Sequence, residues 1–469
     1  MYTRNDHPAW LFVLLPATTM LLGWGLRGYI GGGPYGALIP GVLVALSLCL
    51  LLGYKIETAA IAAVFGAIGV GYGGNMTYGQ TLGFLKETDT IYWGVLGCLV
   101  KGGVWGLLGG AVLGIGMARD RYTRKTIIIA LLLTIPAFLI GKEFINDPKL
   151  IYFSNREDRP RDESWAGLLF AAFAFLTFLR GRGSKEDFAI PLRFALWGLL
   201  GGSLGFGSGC LWLAFGKYIP IDQKLIGWWK MMEFSFGFLF GAALGWCAWL
   251  NRESLQRAGQ EGETPGSNWE PAIGFIVFVI LMDYFLREIL PDGIRREDGS
   301  MSVVLRYGLQ IAFSFVFFGA ITLVLGMFSL HAAWQAAVTL TVYHAVLDYT
   351  RDLNNADEFG YILSGAWQRA ILAVASVIVG YLAWRFMRGP NAIARELLLA
   401  LWACYLVGCA RSFGHKDFVM PPEGKSVFSF VFEDHVGLIF VHGVFTVSAV
   451  VATRFILTRL WDKQERETA

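Results

Sequence analysis

Apolar runs of about 18 or more residues recur from one end of this sequence to the other, and each is long enough to cross roughly 30 Å of hydrocarbon. That recurrence constrains the fold more than any other feature. Backbone N–H and C=O groups inside a bilayer must bond one another, so runs of this length are helices. Charged residues make up only 16% of the 469, and 55% are hydrophobic. A soluble domain carries about 25% charged residues. With a mean hydropathy of +0.52, the chain is predicted to be an all-α, polytopic integral membrane protein.

Hydropathy and run length predict about fourteen spans. Spans 1 and 2 cover Trp10 to Leu26 and Tyr35 to Gly53; spans 3 and 4, Thr58 to Met76 and Trp93 to Met117. Spans 5 and 6 are Thr126 to Ile140 and Trp165 to Leu179; spans 7 and 8, Pro191 to Phe215 and Leu225 to Leu250. Spans 9 and 10 are Pro271 to Phe285 and Val303 to Phe328; spans 11 and 12, Ala332 to Leu347 and Trp367 to Phe386. Spans 13 and 14 are Leu397 to Ala410 and Val436 to Leu457. The first run lacks a small-residue cleavage site and reads as a retained span. Short basic loops, such as Arg119 to Lys125 and Arg180 to Lys185, alternate with loops in which bases and acids are mixed, such as Asn155 to Asp162. The positive-inside rule then places the basic loops and both termini in the cytoplasm, and the expected location is the bacterial cytoplasmic (inner) membrane. Residues 251–270, rich in Gly, Gln, Glu and Ser, read as a flexible cytoplasmic linker between membrane halves 1–250 and 271–469.

Glycine, 58 of 469 residues, is arranged in a pattern. Leu22-Gly23-Trp24-Gly25 returns as Val70-Gly71-Tyr72-Gly73 and as Leu204-Gly205-Phe206-Gly207. A second pattern follows each time, in Tyr35-Gly36-Ala37-Leu38-Ile39-Pro40, Trp105-Gly106-Leu107-Leu108-Gly109-Gly110 and Phe236-Gly237-Phe238-Leu239-Phe240-Gly241. Residues 9–53, 58–118 and 190–250 therefore read as repeats of one Gly-rich helical hairpin. Gly106, Gly110 and Gly114, like Gly237, Gly241 and Gly245, recur every fourth residue. Such rows form a smooth groove that lets another helix approach, within the chain or in a homo-oligomer. The Gly-aromatic-Gly half is a poor helix interior, since each Gly costs about 1 kcal/mol against Ala. It predicts either a helix end or a break, and breaks at membrane depth line cavities.

Charges within spans mark candidate sites. Arg27 follows the first Gly-aromatic-Gly stretch, Asn75, Thr77 and Gln80 follow the second, Lys101 lies in span 4, and Lys230 and Glu233 open span 8. Superposed repeats bring Gly102 opposite Glu233 and allow a Lys101–Glu233 pair across the core; the competing expectation is a local Lys230–Glu233 pair one turn apart. Arg27, Asn75, Gln80, Lys101 and Glu233 are the candidate solute contacts. His344 and Asp348 are spaced i,i+4, as are Asp283 and Arg287. A carboxylate one turn from an imidazole suits proton coupling, so His344 and Asp348 are the candidate coupling pair. His442 has no sequence partner and reads as a core histidine.

These features predict a secondary transporter or permease for a small polar solute, sugar-like or anionic. The alternative is a membrane-embedded glycosyl- or acyltransferase, with its site in outer loops that carry acids with His415 or His435. The expected surroundings are lipid and a small solute. The net charge of +3 is too small to argue for nucleic acid. No cofactor or metal is expected: there is no GxxxxGK[ST], HExxH or GxSxG, and the six cysteines form no CxxC. The charged signature expected after span 2 of a major-facilitator transporter is also missing, with Tyr54-Lys55-Ile56-Glu57 in its place.

Overall fold

The computed structural model describes residues 7–30, 33–118, 121–154, 161–259, 389–414, 424–434 and 436–461, with a few isolated positions between 374 and 386. The described chain is 83% helical and has no strands. The helices are α1 Ala9–Ile30, α2 Gly33–Leu52, α3 Ile56–Gly73, the short α4 Gly79–Gly83, α5 Ile91–Met117, α6 Arg124–Gly141, α7 Trp165–Arg182, α8 Lys185–Gly209, the short α9 Leu211–Phe215, α10 Trp228–Leu250 and α11 Arg252–Ala258. After 259 the long described helices are α12 Ala392–Gly414 and α13 Val436–Phe455, with a single helical turn at Val427–Ser429 between them.

Among the described residues, 8 helices are long and apolar enough to cross a membrane, and the apolar part of α2, Gly36–Leu52, is slightly shorter. This composition is compatible with an integral membrane protein. Spans 1 to 6, 8, 13 and 14 each overlap one helix, while span 7 covers most of α8 and runs on into the separate α9. Spans 9 to 12 lie outside the described residues, as do Asp283, Arg287, His344 and Asp348.

Glycine decides how closely the helices pack. A Cβ on Gly106 would sit 1.9 Å from the Gly198 carbonyl oxygen, and one on Gly110 would sit 2.1 Å from that of Phe194. The row on α5 therefore lies directly on the backbone of α8. The row on α10 lies in the same way on α1: Gly241 would meet the Pro16 carbonyl oxygen at 2.4 Å and Gly245 that of Phe12 at 1.9 Å. Helices at this distance gain dispersion contact along their backbones, which replaces the hydrophobic driving force missing in lipid. Both rows are thus occupied within the chain, and a homo-oligomer built on glycine-rich faces would have to use others.

The Gly-aromatic-Gly stretches do not break their helices as a group. α1 runs through Gly23-Trp24-Gly25 and α8 through Gly205-Phe206-Gly207; only α3 ends at its copy, with Gly74 as cap. The reason is packing. A Cβ on Gly25 would lie 2.4 Å from the Phe234 ring, and one on Gly207 would lie 2.3 Å from Leu99. The glycines make room, and the aromatics between them fill the centre. Trp24 meets Trp105 edge-on at 4.8 Å and Phe236 at 4.3 Å, and Phe206 lies 5.2 Å from Phe236. Aromatics from both halves of the sequence pattern therefore converge on one buried cluster.

Within the stretch read as a linker, residues 252–258 form α11, which buries Leu255 and Ala258; Gly259 carbonyl accepts from the Lys55 N–H at 3.1 Å.

Candidate functional site

The chain alternates direction along α1, α2, α3 and α5, and again along α6, α7, α8 and α10. The ends of α1 and α3 therefore share one end of the bundle with the beginnings of α5, α7 and α10. All the described charged candidates lie toward this end, and they form two clusters joined by the connection between α3 and α4.

The first cluster is built on Arg27. It is 5% exposed, near the end of α1, where the chain is otherwise apolar. Its guanidinium carbon lies 5.0 Å from the Trp105 ring centre, 5.4 Å from that of Tyr78 and 5.7 Å from that of Trp24. Three aromatic faces at this range favour the cation through their quadrupoles, more strongly for being shielded from water. One Arg27 Nη1–H donates to the Tyr78 Oη at 2.7 Å. The Tyr78 hydroxyl donates in turn to Glu233 Oε1 at 3.3 Å, which also accepts from Trp229 Nε1 at 3.1 Å. Glu233 Oε2 accepts from Lys230 Nζ at 2.5 Å, and Lys230 also donates to the Gly25 carbonyl at 2.9 Å. Burial pushes the Tyr78 phenol up, to about 12, against the pull of Arg27. At neutral pH it stays an O–H and relays between guanidinium and carboxylate.

The second cluster is built on Lys101, on α5, and Glu163, immediately before α7. Both side chains are 0% exposed, with 2.6 Å between Nζ and Oε1. Lys101 also donates to the Thr77 carbonyl and to Thr81 Oγ1, each at 2.7 Å. Glu163 also accepts from Ser154 Oγ at 3.0 Å and from the Phe153 N–H at 3.1 Å. A charge pair taken out of water repays its desolvation only when its remaining bonds are satisfied, and here both partners are. The two bonds from Lys101 bracket Tyr78 in sequence. The second cluster therefore fixes the segment that carries the central residue of the first.

The pairing corrects one expectation. Lys101 does not meet Glu233. It takes Glu163, and Glu233 takes Lys230, its neighbour on the same helical face. Lys101 spends its bonds on Thr77, Thr81 and Glu163, so repeat superposition gives the wrong partner. Asn75 turns back to cap α3, its Nδ2 donating to the Tyr72 carbonyl at 3.1 Å. Gln80, half-buried on α4, makes none of these contacts. His442 is buried, as a core histidine should be, with Nδ1 3.4 Å from Cys409 Sγ and its ring edge-on to Phe445. His415 and His435, on which an outer-loop transferase site would depend, lie outside the described residues.

Sequence reasoning missed Tyr78, Trp229 and Glu163. Glu163 was legible in one respect: it is the last acid before an apolar span. Tyr78 sits in a polar stretch between α3 and α5, Asn75 to Gln80, yet tyrosine there carries no signal without a fold.

The Arg27 cluster reaches the outside at Trp229, which is 40% exposed. A Cβ on Gly79 would lie 3.7 Å from Arg161 Nη1 and 3.8 Å from Trp229. The exposed Arg161 therefore stands near Gly79 and Trp229, at the edge of the cluster. Among the described residues, no group of His, Cys, Asp and Glu has the arrangement of a metal site. Comparison with known protein families, curated proteins and solved structures finds no match to this chain.

Proposed function

We propose that the protein is a secondary transporter or permease for a small polar solute, anionic or hydroxyl-rich, and that Arg27, Tyr78, Trp229, Lys230 and Glu233 form one end of its path. The observation that carries this reading is the chain of bonds from Arg27 through Tyr78 to Glu233, inside a bundle of apolar helices and reached past Trp229. Ionisable groups within membrane helices are costly, and they mark pathways for polar solutes. Two cations are tied to one carboxylate, Lys230 directly and Arg27 through Tyr78, which favours an anion or a hydroxyl-rich solute that bonds to both signs. Flat aromatic faces beside them suit the apolar face of a sugar ring.

In this reading Lys101 is a support and not a contact, and Asn75 and Gln80 keep a role only if the α3–α4 connection moves. His344 and Asp348 stay as the proposed coupling pair. The Gly-rich hairpins are read as copies of one unit, with a total near fourteen spans, and the basic loops and both termini face the cytoplasm of a bacterial inner membrane.

Uptake into proteoliposomes, with and without a pH gradient, tests the reading against a panel of sugars, sugar acids and small organic anions. Accumulation of one class that falls at least tenfold, about 1.4 kcal/mol, in both Arg27→Ala and Glu233→Ala supports it. Wild-type uptake by both variants would sink the site assignment.

A further inference from the structure

A concavity lies along α10, on residues other than Lys230 and Glu233. It has a volume of about 630 Å³, is open on one side, and is walled by Leu21 of α1, Trp212 and Phe215 of α9, Phe234 and Phe238 of α10, and Phe440 of α13. That size is within the range of about 300–1,000 Å³ found for small-molecule sites. Its lining is almost wholly hydrocarbon. The two hydroxyls on it, Ser208 and Ser235, spend their protons on the carbonyls of Leu204 at 2.6 Å and Met231 at 2.9 Å. Ser235 Oγ also accepts from Trp212 Nε1 at 2.9 Å. The groove thus offers a ligand shape and dispersion but no free donor, which suits a saturated chain and not a polar solute.

The groove also has a direction. At one end Trp212 and Trp228 stack, with ring centres 6.1 Å apart, and Trp228 Nε1 donates to Gln223 Oε1 at 2.7 Å. Paired tryptophans with bonded N–H groups mark the headgroup level of a bilayer. The loop that closes this end carries Lys217 and Lys224 against Asp222, all exposed. From Met231 to Leu239 the groove then follows α10 for about 12 Å, at 1.5 Å per residue, away from the headgroup end. Leu204, exposed beside it, continues the apolar surface of the lining residues Leu211 and Phe215.

We propose that this groove is a binding site for one acyl chain of a phospholipid, with the headgroup held at the Trp212–Trp228 end. The site rests on the membrane-spanning reading of the chain and is independent of which solute, if any, is moved. Its wall and the polar site share α10, since Phe234 follows Glu233 and packs against Phe445 at 5.6 Å.

The test uses the full chain reconstituted in vesicles of phosphatidylethanolamine and phosphatidylglycerol, then extracted into detergent. A benzophenone amino acid replaces Phe238 in one protein, Phe440 in a second, and the exposed Phe173 of α7 in a third as a control. After illumination, mass spectrometry is expected to find a phospholipid adduct at 238 or 440 and none at 173. Ser208→Trp, which fills the groove without changing charge, is expected to remove the adduct. A cross-link from 238 and 440 to another part of this chain would overturn the proposal. So would a cross-link to a second copy, or equal phospholipid labelling at all three positions, or none at the groove positions.

Discussion

Glu233 and Glu163 show what decides a buried carboxylate's partner. From sequence, Glu233 had two cations to choose from, Lys101 and Lys230, and the nearer in sequence won because an i,i+3 neighbour on one helix needs no tertiary alignment. Lys101 was then left to find an anion, and it found one from outside the spans. The local pair was legible; the distant pair depended on how residues 152–154 and 161–164 pack against α5. Removing one partner of a fully buried pair leaves an uncompensated charge, at a cost of about 3–5 kcal/mol. Lys101→Met should therefore lower thermal stability in detergent by about that amount, and adding Glu163→Gln should recover a large part of it. Equal stability of the single and double variants would show that the pair is not coupled. Tyr78→Phe removes only a hydroxyl, yet that hydroxyl joins Arg27 to Glu233. Hydrogen bonds to charged groups are worth about 1.5–3 kcal/mol, so solute affinity should fall roughly tenfold or more while the melting temperature changes little. Loss of folding without loss of affinity would make Tyr78 a structural residue alone.

At the scale of elements, the every-fourth-residue glycines were the most informative part of the sequence, because their meaning is steric and does not depend on the partner. The row from Gly106 to Gly114 was legible as a contact face, and its partner, α8, was not. Gly106→Val would place atoms where the Gly198 carbonyl stands 1.9 Å from a Cβ. Overpacking in a core costs about 1–3 kcal/mol when side chains can yield, and backbone yields less, so the loss should reach or exceed the top of that range. Gly181 of α7 has nothing within 4 Å of its Cβ position. Gly181→Ala should stabilise by about 0.5–1 kcal/mol through helix propensity alone. Thermal melts of the two variants separate close packing from conformational freedom, and similar losses in both would contradict the packing account. The Gly-aromatic-Gly stretches were harder to read. Their glycines carry the same propensity penalty in all three copies, but packing outweighs it in α1 and α8, and only α3 ends there. A penalty of about 1 kcal/mol per glycine cannot predict a break where close contact recovers it.

For the whole molecule, class and helical content followed from hydropathy, since the bilayer leaves the backbone few choices. Helix positions followed the apolar runs most closely where loops of plainly different composition end them, as in spans 4 and 6, and least closely for span 7, which crosses from α8 into α9. The assembly of the polar site was not legible, because it draws on α1, the α3–α4 connection and α10, and no periodicity in sequence links these. The central claim is that this site belongs to a path through the membrane and not to a pocket on one face. Cysteine labelling tests it most directly and without knowledge of the solute. With Cys409, the half-buried native cysteine, replaced, Tyr78→Cys would be exposed to a membrane-impermeant thiol reagent in right-side-out and in inside-out vesicles. The account predicts labelling from both sides. Labelling from one side only, in every condition, would contradict it and favour an enzyme or receptor site on that face.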